Sequence, residues 1–69
     1  MRPARRKKIQ HLFARATEIA SLGQEIAVDG QSSIHAAGRY ASLAKLLHQN
    51  SLELANTAAD IMTALADGP

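Results

Sequence analysis

Ile9, Leu12, Ala16, Ile19, Gly23 and Ile26 recur at alternating steps of three and four residues. This spacing is a heptad seam, which keeps two positions in every seven turned toward a neighbouring helix. A second seam fits the rest of the chain: Ala37, Tyr40, Ala44, Leu47, Ser51, Leu54, Ala58, Ile61 and Leu65. Large and small residues alternate along both. The pattern predicts an all-α protein whose helices pack closely, because small residues let helix axes approach toward the short end of the usual 8–10 Å.

With 69 residues there is material for one domain, taken as residues 1–69. A single core in so short a chain is marginal without a staple, a metal or a partner. The sequence has no cysteine, so disulfides and thiolate metal sites are ruled out. Helix packing and self-association are left as the sources of stability. The lack of cysteine also fits a reducing compartment, and a cytoplasmic protein is expected. No stretch approaches the roughly 20 apolar residues of a membrane span. The start is Arg-rich and amphipathic, as a transit peptide is. The seam nevertheless runs unbroken to Ile26, which favours mature structure.

Pro3 suits the first turn of a helix, where its missing N–H costs nothing. A first helix is expected over about residues 4–28, with Gly23 as its weak point unless close packing needs it there. Asp29-Gly30 is the strongest break, with glycine expected in the left-handed conformation that ends many helices. The turn is placed at 29–32. Ser32 or Ser33 would cap a second helix over about 33–66, stopped by Asp67-Gly68-Pro69. So short a connection makes the helices antiparallel neighbours. Asn50 with Glu53 three residues on matches a capping box, which would split the second helix and give a monomeric three-helix bundle. The two-helix reading is preferred, because Leu47, Leu54 and Ile61 keep their phase through that point.

A lone hairpin leaves apolar surface uncovered. Phe13, Ala20 and Ala27 flank the first seam on one side and Leu22 on the other, while Leu43 and Met62 flank the second. Leu46 and Leu52 lie further round. An arc this wide wants more than one neighbour. A two-fold homodimer of hairpins, forming an antiparallel four-helix bundle, would supply it. The expected bundle core is Ile9, Leu12, Ala16, Ile19, Gly23, Ile26, Ala44, Leu47, Leu54, Ala58 and Ile61.

Charge is distributed unevenly. Residues 1–15 hold Arg2, Arg5, Arg6, Lys7, Lys8 and Arg15 with no acid. The remainder holds Arg39 and Lys45 against Glu18, Glu25, Asp29, Glu53, Asp60 and Asp67. Cations at a helix N-terminus oppose the helix dipole, so helix stability does not explain them. The six basic residues are the candidate contacts to an anionic partner, RNA or DNA included. Against this, an antiparallel hairpin brings the same segment beside the C-terminus of the second helix, with Asp60 and Asp67, where part of the charge would be absorbed. Only Phe13 and Tyr40 are aromatic, and both are at or beside the seams. No base-stacking platform or recognition helix is evident, so any nucleic-acid binding would be electrostatic and not sequence-specific.

Catalysis has little support in the residues. His11, His35 and His48 form no i, i+4 pair, and no Glu-x-x-His pair occurs, so no metal or cofactor is expected. The acids recur near heptad spacing as a solvated stripe. An exposed His35 before Gly38-Arg39 is the one alternative, a phosphotransfer-type role. A structural subunit of a larger complex, with Leu46 and Leu52 facing another protein, is a third reading. The residues therefore point to a small non-enzymatic interaction or regulatory module.

Overall fold

The computed structural model describes residues 1–67. It contains two helices, α1 (Pro3–Asp29) and α2 (Ala37–Ala66), and no strand among the described residues. They pack as an antiparallel hairpin measuring 52 × 14 × 11 Å. α2 runs unbroken through Asn50, so the protein is a two-helix hairpin and not a three-helix bundle.

Pro3 opens α1 as expected, and neither helix start is capped by the side chain of its N-cap residue, Arg2 or Ala36. Gly30 ends α1 without the left-handed turn: its φ is −65°, and its N–H reaches Ile26 O. Beyond it the chain stays irregular to Ala36, so α2 begins at Ala37 and not near Ser33. Neither serine caps it; Ser32 Oγ instead accepts a bond from Ile34 N–H. The delay has a tertiary cause, because His35, Arg39 and Tyr40 all reach back to residues 29–32. At the far end α2 stops at Ala66, and Gly68-Pro69 lie outside the described residues.

The α1 seam is the expected one. Ile9, Ile19 and Gly23 are buried, and Leu12, Ala16 and Ile26 half-buried. In α2 the large column is also as expected toward its end, with Leu54 half-buried, Ile61 buried and Leu47 at the margin. The small column is different. Leu43, Asn50, Thr57 and Ala64 face α1, while Ala44, Ser51, Ala58 and Leu65, each one residue later, are exposed.

Two contacts explain the one-residue roll. Asn50 lies over Gly23, where an added methyl group would collide with its Oδ1. Its Nδ2 donates to Ile19 O at 2.8 Å, so a buried amide keeps a partner. Thr57 likewise donates its hydroxyl to Glu53 O within its own helix, at 3.0 Å. Polar residues thus enter the seam without an orphaned group, and Gly23 is there to make room.

The roll gives the hairpin two unlike broad faces. On one, Arg15 meets Glu53 at 3.1 Å and Asp29 meets Arg39 at 3.0 Å, with Leu22 and Leu46 between them in sequence register. On the other, Phe13, Ala20 and Ala27 of α1 lie beside Ala44, Ser51 and Ala58 of α2, without a charge among them. The seam between the faces is thin. No described side chain is completely enclosed; the most buried, Thr57, keeps 4 % of its surface.

Candidate anion-binding end

The six candidate basic residues begin on the first turns of α1, which Pro3 starts immediately after Arg2. Heptad position separates their fates. Arg5 lies one heptad before Leu12, so it points along the seam and is half-buried. Its Nε donates to Ala64 O at 2.8 Å, and its terminal nitrogen donates to Leu65 O. The last carbonyls of α2 have no intrahelical donors, so a guanidinium there satisfies them and meets the negative end of the helix dipole. Arg15 is bound differently, to Glu53 across the hairpin, with both side chains more than half exposed. Such an exposed pair contributes little.

Arg2, Arg6, Lys7 and Lys8 are exposed and make no ion pair or side-chain hydrogen bond among the described residues. Lys8 borders a shallow groove with Asp60 and Asp67, the acids expected to absorb charge, but pairs with neither. The structure therefore divides the six: two serve the hairpin, and four form a cationic collar at its open end. That Arg5 acts as a cap was readable from its heptad phase, and the carbonyls it caps follow from antiparallel packing.

At the closed end the loop folds around one carboxylate. His35 Nε2 lies 3.0 Å from both Asp29 O and Asp29 Oδ1. Both are acceptors, so Nε2 carries the proton and donates. Arg39 donates to Asp29 Oδ2 at 3.0 Å. Tyr40 donates its hydroxyl to Ser32 O and stands edge-on to the His35 ring, with centroids 5.4 Å apart. The hydrogen bond from His35 leads the effects that hold the Asp29 carboxyl below its ordinary value of 3.8; desolvation opposes it, and Arg39 adds to it. Asp29 and His35 thus meet at the turn, while Glu25 bonds to neither. The phosphotransfer reading asks for an exposed ring; the His35 side chain keeps 17 % of its surface and its Nε2 is committed to Asp29. Arg39 and Tyr40 were not singled out at this turn from the sequence; the Asp29/Arg39 charge pair flanking the break is the signal that points to them.

Elsewhere the helices bring no group of three His, Asp or Glu side chains into metal-binding range among the described residues. A shallow apolar groove near the loop is lined by Ile26, Ala27, Tyr40, Leu43, Ala44 and Leu47. No described helix is long and apolar enough to cross a membrane. No family model, curated protein or solved structure matches the chain.

Proposed function

We propose that this chain is a small non-enzymatic interaction module. It associates with a second copy as a four-helix bundle and offers the cationic collar of α1 to an anionic partner. The observation that carries the reading is the division among the basic residues. Arg5 and Arg15 have work inside the hairpin, but Arg2, Arg6, Lys7 and Lys8 have no acidic partner among the described residues. They also oppose the dipole of the helix that bears them. Cations kept at such a place are matched to a charge outside the chain. With Phe13 and Tyr40 the only aromatics, recognition is of a phosphate backbone or an acidic surface and not of bases. A cysteine-free chain suits a reducing, cytoplasmic setting for that role.

The test replaces Arg2, Arg6, Lys7 and Lys8 with alanine and leaves Arg5 to cap α2. Binding to duplex RNA, duplex DNA and an acidic polypeptide is measured across a salt series. Each phosphate contact contributes about 0.9 to the slope of log K against log salt on duplex DNA. Loss of the four cations should flatten the slope by up to about 4 per basic end. Full affinity in the variant for the polyanion that the natural chain binds would defeat the proposal.

A further inference from the structure

We infer that the second copy packs on the uncharged face, antiparallel to the first, with the two-fold axis at the level of Ala20 and Ser51. The inference rests on the self-association proposed above and adds its surface and direction.

The face has the properties of an interface between copies. Phe13, Ala20 and Ala27 of α1 and Ala44, Ser51 and Ala58 of α2 are all exposed and uncharged, and Phe13 keeps 55 % of its surface. The hydroxyls on this side are already used. Ser51 donates to Leu47 O at 2.9 Å and Thr17 to Phe13 O at 3.1 Å. Covering them would strand no donor. The opposite face also exposes apolar side chains, Leu22 and Leu46, but each lies between the Arg15–Glu53 and Asp29–Arg39 pairs, which would have to be desolvated to cover them. With Ala37 and Leu65, both exposed, completing the α2 column, the face runs about 40 Å along α2 and about 20 Å along α1 before Arg6, and offers about 600 Å² per copy, the low end of stable interfaces.

Two stackings make every neighbouring helix antiparallel. In one, the loops of both copies lie at the same end; in the other, at opposite ends. The first gathers both cationic collars at one end of the bundle. The second separates them by nearly the 52 Å length of the hairpin. That is several times the Debye length of about 8 Å at physiological salt, so their repulsion is screened. The second also fits in shape. Asn50 bonds to Ile19 O, which places Ser51 and Ala20 at one level near the middle of the hairpin. A two-fold there uses the full length. It sets Phe13 over the partner's Ala27 and Ala58 over the partner's Ala44, so the one large ring meets a small residue. The resulting bundle carries a cationic collar at each end.

The chain has no cysteine, so single cysteines report proximity without background. Ala20→Cys and Ser51→Cys are oxidised separately and as a mixture, with Ser21→Cys, exposed on α1 away from α2, as the control. Each of the first two alone should give a disulfide-linked dimer, and the mixture should give no mixed disulfide. A mixed disulfide with neither homodimer would mean that the loops lie together, and would overturn the direction. Equal cross-linking from Ser21→Cys would overturn the face. Sedimentation equilibrium of the unmodified chain separates the two proposals. A monomer at all concentrations overturns the self-association itself. A dimer lacking both expected cross-links overturns only this inference.

Discussion

The two broad faces of the hairpin are built from the same two helices, yet they solve opposite problems. One is laced by Arg15–Glu53 and Asp29–Arg39, with Leu22 and Leu46 exposed between the pairs. The other presents Phe13, Ala20, Ala27, Ala44, Ser51 and Ala58, and water gains nothing from it. Their difference does not come from helix propensity, which is similar along both. It comes from the rotation of α2 about its own axis, set by Asn50 against Gly23. Turning α2 by one residue would bury Ala44, Ser51 and Ala58 and present Asn50 and Thr57 outward. A single polar residue in the seam therefore decides which surface of the protein stays uncharged and free for a partner. Polar seam residues are known to act in this way in coiled coils, where they choose register at some cost in stability.

Charge placed on the uncharged face should act most severely. Ser51→Glu would bury two unpaired carboxylates at the two-fold of the proposed dimer. An unpaired buried charge costs several kcal/mol, so the dimer should weaken by about 3 kcal/mol or more, roughly a hundredfold or more in dissociation constant. Ser21→Glu, exposed away from that face, should leave association within about twofold. Sedimentation equilibrium of the two variants measures both. Equal behaviour would remove the distinction between the surfaces.

A smaller effect sharpens the cause of the distinction. Gly23→Ala should destabilise by about 1–3 kcal/mol, because the methyl group meets Asn50 Oδ1 and well-packed seams do not absorb an added atom group. In the Asn50→Ala background the collision is gone, and the same substitution should stabilise by up to about 1 kcal/mol through helix propensity alone. Urea unfolding of the four proteins in this double-mutant cycle gives the coupling. If Gly23→Ala has the same sign in both backgrounds, the lock between Gly23 and Asn50 is not what sets the roll.

The smallest effect concerns the end of the ion-paired face. Asp29 is held below its ordinary pKa of 3.8, first by its hydrogen bond from His35 and then by Arg39, against some desolvation. A lowered carboxylate pKa stabilises the folded state above the unfolded-state pKa, and the benefit is lost as pH falls through the folded value. Asp29→Asn should therefore lower the melting temperature slightly at neutral pH, and the gap to the natural chain should close below the ordinary carboxylate range. A gap that persists unchanged in acid would show that the loop clasp does not depend on the carboxylate charge.

Much of the hairpin was legible in the residues. The α1 seam reads correctly because Ile9, Leu12, Ile19 and Ile26 hold its large apolar groups, while the flanking columns bring in charge, Lys8 and Arg15 on one side and Arg6 on the other. The start of α1 at Pro3 and the break after Asp29 were equally plain. The onset of α2 was not, because Ser33 is a good local cap and the reasons it goes unused lie across the turn, in the bonds from His35 and Arg39 to Asp29. At the candidate site, the excess of cations was evident, and its division was only half so. Arg5 could be assigned to the seam by phase. That Lys8 stands beside Asp60 and Asp67 without pairing depends on side-chain geometry.

Periodicity and charge alone determined that this protein is all-α, that it folds back once, which side of α1 is inward, and that its cations crowd one end. The tertiary structure alone decided which of two adjacent columns of α2 faces α1. Leu43–Asn50–Thr57–Ala64 and Ala44–Ser51–Ala58–Leu65 share one heptad period and differ by one residue in phase. Judged by polarity, the second column is the better core. The first prevails because Gly23 leaves room that Asn50 fills, and because Ile19 O and Glu53 O satisfy the polar atoms it brings. A repeat along one helix carries no information about a cavity and an acceptor on another, and those exist only once the helices meet.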